Sequence, residues 1–154
     1  MPKVRILMGS KSDAEIGKNA KALLDELGVD ADMVVASAHR TPERVERLVK
    51  KSDADVFIAI AGLSAALPGV VASFTIKPVI GVPVSGKLGL DSILSVVQMP
   101  PGIPVAAVGL DRGENAALLA AEIIAIGDPS VAESLLAYRK NMAEKVIADS
   151  EELC

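Results

Sequence analysis

Tryptophan is absent from this 154-residue chain, and its aromatic side chains stop at Phe57, Phe74 and Tyr138. Platforms on which nucleic-acid bases stack have little material here. The single cysteine, Cys154, is the last residue, so there is no disulfide framework and a reducing compartment is expected. Histidine also occurs once, as His39. One imidazole and one distant thiol do not make a ligand set, so no metal is expected. Apolar runs of about eighteen residues, the length that spans a bilayer, are missing. Residues 1–10 show no secretory pattern. Nor is there a positive excess: Lys and Arg total 16 against 20 Asp and Glu, a net charge of −4. That balance opposes a general nucleic-acid footprint. The chain is expected to be soluble and cytoplasmic, without nucleic-acid or membrane partners.

What is present is aliphatic. Apolar residues make up 51% of the chain, more than a small monomer hides easily. A parallel sheet covered on both faces and subunit interfaces would both absorb such an excess. The length suits one domain, 1–154, able to bury a core unaided.

Strand and helix patterns alternate almost from end to end. Val4–Met8 is a short apolar run, and Ser12 with Glu15 three positions on has the form of a capping box. Ile16, Ala20, Leu23, Leu24 and Leu27 recur at helical spacing before Gly28. Further strands are expected at Met33–Ala36, Val56–Ala61, Pro78–Val82 and Val105–Val108. Between them, Thr41 caps a helix with Pro42 in its first turn, where the missing N–H costs nothing. A small-residue helix over about 64–74 is expected to be broken or shifted near Pro68-Gly69, and another helix covers Leu90–Val97. Glu114–Ile126 is apolar on nearly all sides and so is expected to be buried all round. A last helix spans about 129–150, beyond a core of about 3–127, and is expected to pack on another subunit. Repeated βα units imply an α/β three-layer sandwich with a parallel sheet, flavodoxin-like or Rossmann-like, plus this extra C-terminal helix.

Polar residues gather where strands should end. Gly9-Ser10-Lys11-Ser12-Asp13 offers hydroxyls, a lysine and the amino end of a helix, all suited to a phosphate. A plain cap by Ser12, with Asp13 complementing the helix dipole, explains the same residues equally well. Ser37, His39 and Arg40 crowd the second turn. Arginine grips phosphate with a planar fork, and histidine is suited to move a proton. In a parallel sheet both turns lie at carboxyl ends of neighbouring strands, where such folds bind small molecules. Proton transfer on a phosphorylated substrate is the chemistry this suggests. The small residues of 61–69, Gly62 among them, let backbone approach a flat ligand, although close packing accounts for them too. Residues 98–104 are too rich in proline for a regular element and form a rigid loop.

Five collinear segments together closely resemble the PurE family of purine biosynthesis. They are Met-Gly-Ser-Lys-Ser-Asp (8–13), Ser-Ala-His-Arg-Thr-Pro-Glu (37–43), Leu-Pro-Gly (67–69), Gln-Met-Pro-Pro-Gly-Ile-Pro (98–104) and Asn-Ala-Ala-Leu-Leu-Ala (115–120). The resemblance implies a flavodoxin-like fold, a homo-octamer, no cofactor, and carboxylation of C4 on the imidazole of aminoimidazole ribonucleotide. It makes Ser10, Asp13 and Arg40 nucleotide contacts and His39 the proton-handling group. Ser12, Ser37 and Gly62 fall in the same segments. Lys11, Lys77 and Lys87 could each touch a ligand, and nothing in the sequence chooses among them.

The family has two branches. Mutases move the carboxylate from the exocyclic nitrogen of N5-carboxyaminoimidazole ribonucleotide, and carboxylases take free CO2. Mutases usually carry a second histidine immediately before Leu-Pro-Gly, where this chain has Ala66 as the carboxylases do. Arg40, Pro42, Pro68 and the 98–104 loop resemble the mutase side. The mutase activity is therefore expected first and the CO2-dependent carboxylase second. PurE-like domains that carboxylate a pyridine nucleotide usually have a long N-terminal region, whereas this chain starts at its first strand. A non-enzymatic nucleotide-binding module is the remaining alternative, and it would leave His39 dispensable for all but affinity.

Overall fold

A computed structural model of the chain describes residues 3–87 and 89–153. Met1, Pro2, Leu88 and Cys154, the residue behind the redox expectation, lie outside them. Five parallel strands form one sheet: β1 (Lys3–Met8), β2 (Asp30–Val35), β3 (Val56–Ala61), β4 (Val79–Pro83) and β5 (Ala106–Ala107). Their order is β2-β1-β3-β4-β5. The helices are α1 (Ala14–Glu26), α2 (Pro42–Lys50), α3 (Leu67–Ser73), α4 (Gly89–Val97), α5 (Gly113–Ala125) and α6 (Pro129–Glu152). This is the flavodoxin-like arrangement, with helices on both faces and a C-terminal helix added.

Strand alternation divides the core in two. Val4, Ile6 and Met8 of β1 and Val56, Ile58 and Ile60 of β3 face Leu24 of α1, Ala117 and Ala121 of α5 and Val131 of α6. Leu7, Phe57 and Ala59 face Val45 and Val49 of α2, Val71 of α3 and Val96 of α4. The central strand β3 is buried at all six positions, which is why it reads as a continuous apolar run rather than an alternation. Glycine makes the closest helix approach possible. A Cβ on Gly113, at the start of α5, would sit 2.5 Å from the Ile16 carbonyl oxygen of α1.

Several local expectations need correction. Ser12 does not cap α1: Ser10 caps a single 3-10 turn at Lys11–Asp13, and Asp13 takes the N-cap position without a side-chain cap bond. Thr41 stands at the N-cap of α2, but its hydroxyl turns back, accepting from the Ser37 amide at 3.0 Å and donating to the Ser37 carbonyl at 3.1 Å. Pro68 lies in the first turn of a helix rather than breaking one: α3 starts at Leu67, after a turn over residues 62–65 closed by the Ala65 amide on the Gly62 carbonyl at 3.1 Å, with Ser64 at φ 52°. The second strand begins earlier than Met33, at Asp30, where backbone pairing with Lys3 outweighs the polar side chains. The fifth strand keeps two residues, both exposed at the sheet edge. In α5, six residues form a fully buried stripe and Leu118, Leu119 and Ile123 are only partly covered.

Candidate active site

The strand order reverses direction at β1 and β3. From β1 the chain crosses to β2 on one side, and from β2 it crosses back to β3 on the other. Splayed loops at such a point leave a crevice outside the carboxyl ends of the strands. A cavity of about 810 Å³ occupies it, within the range of about 300–1,000 Å³ usual for small-molecule sites. Its walls are the turns after β1, β2, β3 and β4, with Asp91 and Ser92 of α4 behind them.

All seven residues singled out in the sequence line this one cavity: Ser10, Ser12, Asp13, Ser37, His39, Arg40 and Gly62. Arg40 ties two turns together. Its Nη2 donates to the Gly9 carbonyl at 3.0 Å and its Nε to Ser37 Oγ at 3.3 Å. Ser37 Oγ also accepts from the Arg40 amide at 3.2 Å, which fixes the turn that carries His39. With these contacts made, a guanidinium keeps further N–H donors for an anion. Next to Gly9, Ser10 Oγ accepts from the Ser12 amide at 3.3 Å and lies 3.0 Å from Ser12 Oγ, so two hydroxyls present as a pair. The β1 turn is held from below, where the Gly9 amide donates to the Ile60 carbonyl at 3.0 Å.

Asp13 is 6% exposed. Burial pushes its carboxyl above the usual carboxylate range; a hydrogen bond from the Ser10 amide opposes the rise and the charge of Asp111 adds to it. A buried, proton-hungry carboxyl in a cavity wall is a functional-site signature. His39 stands on the rim and is exposed. Ala66, at the N-cap of α3, lines the cavity where the second imidazole would stand.

The structure also sorts the lysines. Lys87 lines the cavity. Lys77 lies at the opposite, amino-terminal edge of the sheet, where its Nζ meets Asp55 at 3.3 Å. Lys11 is exposed on the 3-10 turn and is not part of the cavity wall. Sequence reasoning missed Ser85, Gly86 and Asp91. The signal was available for the first two, since Ser85-Gly86-Lys87 follows an apolar strand just as the β1 and β2 turns do. No group of three or more His, Cys, Asp or Glu side chains among the described residues is arranged to hold a metal ion. No helix among them is long and apolar enough to cross a membrane.

Comparison with known proteins places this geometry. Residues 3–145 match the family model described as AIR carboxylase. The chain is 62% identical over 149 residues to the N5-carboxyaminoimidazole ribonucleotide mutase of Methanocaldococcus jannaschii, covering 96% of this chain and 95% of that one. The enzyme of the same name from Pyrococcus abyssi is 54% identical over 92% of this chain and 84% of its own length. Among solved structures, PurE of Treponema denticola superposes with a TM-score of 0.89 at 34% identity, covering 99% of both chains. A fold, five motif segments and nearly the whole length thus agree: the chain belongs to the AIR carboxylase (PurE) family.

Proposed function

We propose that this chain is an N5-carboxyaminoimidazole ribonucleotide mutase of purine biosynthesis, converting that carbamate to the C4-carboxylated isomer. The observation that carries the reading is the gathering of His39, Arg40, Asp13 and the three serines 10, 12 and 37 around one crevice. The similarity to mutases over almost the full chain supports the same activity.

Each group has work that its chemistry suits. Arg40 and the Ser10, Ser12 and Ser37 hydroxyls anchor the 5′-phosphate. Asp13 accepts hydrogen bonds from the ribose hydroxyls. Gly62 and its small neighbours let the flat imidazole lie against backbone. In the first half-reaction the N5–carboxyl bond breaks, CO2 departs, and His39 gives N5 the proton it needs. C4 then attacks the CO2 held beside it, forming the new carbon–carbon bond. C4 is now tetrahedral and still carries its hydrogen. His39 takes that proton, the ring regains aromaticity, and the imidazole returns to its starting state. Such acid–base participation is worth about 10²–10⁴ in rate. Keeping CO2 beside its acceptor supplies a further entropic advantage.

Unpartnered apolar surface supports an assembly of subunits, and the family resemblance implies a homo-octamer. Leu90, Leu94 and Val97 of α4 are 68%, 47% and 49% exposed, and Met142, Val146 and Ile147 of α6 are 53%, 69% and 59% exposed. Only Val131 and Leu135 of α6 are buried on their own subunit; the distal half of the helix packs on a neighbour. A small nucleotide is the partner at the cavity, and the cytoplasm is the setting.

Ala66 favours one competing reading, the carboxylase that uses free CO2. Purified protein is incubated with N5-carboxyaminoimidazole ribonucleotide, and separately with aminoimidazole ribonucleotide plus bicarbonate. The mutase reading expects rapid product from the first and, in the variant His39→Asn, a loss of about 10²–10⁴ in kcat. Rapid product from the second mixture alone would make the protein a carboxylase. Near-full turnover by His39→Asn would remove the proton-transfer role.

A further inference from the structure

The turn after β4 lines the cavity through Val84, Ser85, Gly86 and Lys87, and β1 and β3 separate it in the strand order from the β2 turn that carries Arg40. Three bonds, from β3, from α4 and from the loop before α5, pin it. The Val84 amide donates to the Ala61 carbonyl of β3 at 3.0 Å. The buried Ser92 hydroxyl of α4 donates to the Val84 carbonyl at 2.9 Å. The Ser85 amide donates to Oδ1 of Asp111 at 2.8 Å.

Asp111 lies between β5 and α5, and its backbone is in the left-handed region at φ 59°. Aspartate and asparagine tolerate that conformation better than other residues with a Cβ. The strained conformer is locked from both sides: the Asp111 amide donates to the Pro83 carbonyl at 2.9 Å, and its carbonyl accepts from the Gly113 amide at 3.1 Å. Backbone strain of this kind persists where the surroundings over-determine it, commonly beside a functional site. Here it aims a carboxylate at the turn that carries Lys87.

Lys87 makes no ion pair among the described residues. Arg40, by contrast, is committed to the β1 and β2 turns. One crevice therefore carries two cations on turns that lie to either side of β1 and β3 in the strand order, Arg40 after β2 and Lys87 after β4. That layout suits a ligand with two anionic groups.

We propose that Asp111 is a positioning residue: its carboxylate clamps the Ser85 amide and thereby sets Lys87 to receive the substrate's carboxylate, while Arg40 receives the phosphate. The assignment rests on the mutase reading, because that substrate carries both anions.

The test compares the wild-type protein with Asp111→Asn, Asp111→Gly, Lys87→Met and the double variant Asp111→Gly/Lys87→Met, by steady-state kinetics on N5-carboxyaminoimidazole ribonucleotide. Amide hydrogen exchange at Ser85 is followed in parallel. Asparagine keeps an acceptor oxygen and tolerates the left-handed backbone; glycine fits the backbone and loses the acceptor. Asp111→Gly is expected to raise KM about ten- to a hundredfold, with kcat within about twofold, and to speed exchange at Ser85. Asp111→Asn is expected to restore both. The double variant is expected to be no worse than Lys87→Met alone, because the two residues act through one contact. Wild-type KM and unchanged Ser85 exchange in Asp111→Gly would overturn the proposal, as would losses that multiply in the double variant. A wild-type protein that fails to turn over the carbamate would instead overturn the functional reading, and the Lys87 role with it.

Discussion

With 6% of its surface exposed, Asp13 carries a carboxyl group that water barely reaches. Burial raises its pKa, and Asp111 adds to the rise. The native state therefore binds this proton more tightly than the unfolded chain does. Ionised Asp13 is a cost to the fold at neutral pH. Stability should rise as pH falls through the raised value towards the ordinary carboxylate value, where the gain is complete. Asp13→Asn removes the titration and keeps a polar group of the same shape. At neutral pH the variant is expected to melt about 2–4 °C higher than wild type and to turn over about a hundredfold more slowly. The gap in Tm should close as pH falls. Calorimetry across that range checks the sign: a variant less stable than wild type at neutral pH would contradict it. His39 and Arg40 were legible as residue types in a polar turn after a strand. Asp111 was not, because nothing in Leu-Asp-Arg-Gly (110–113) signals a left-handed backbone at a residue other than glycine.

The elements depend on close approach as much as on apolar pattern. At Gly113 the first turn of α5 crosses α1 so tightly that an added Cβ would stand 2.5 Å from the Ile16 oxygen and 2.9 Å from Ile16 Cγ2. Alanine normally favours a helix over glycine by roughly 1 kcal/mol. Here the obstacle is backbone, which cannot rotate away, so the contact outweighs the propensity. Gly113→Ala is expected to destabilise the fold by about 1–3 kcal/mol, measured by urea unfolding; a neutral or stabilising result would show that α5 shifts without cost. Helix and strand identities were legible wherever side-chain period and burial agree, as in α1 and β3. They were less so where a tertiary contact decides. Ser12 has the form of a cap, but Ser10 takes that role because the chain leaves β1 one tight turn before α1 begins. The Val105–Val108 run keeps two paired residues, because only β4 offers a neighbour at that edge.

At the scale of the molecule, strand order matters more than any single motif. Order β2-β1-β3-β4-β5 sets four turns around one crevice, so residues 10, 37, 62 and 85 meet although the sequence separates them widely. Alternating elements made the sheet legible, and the resemblance named its chemistry, while the fourth wall was legible only as one more polar turn, Ser85-Gly86-Lys87, after an apolar strand. On the proposed reaction, CO2 released from N5 is recaptured at C4 while still within this crevice. The most direct measurement supplies N5-carboxyaminoimidazole ribonucleotide labelled with ¹³C in its carboxyl group, in buffer containing unlabelled bicarbonate, and reads the isotope in the product's carboxylate. The account predicts that the product keeps the label. A product carrying solvent carbon would contradict it, since the CO2 would then have left the crevice before C4 attacked.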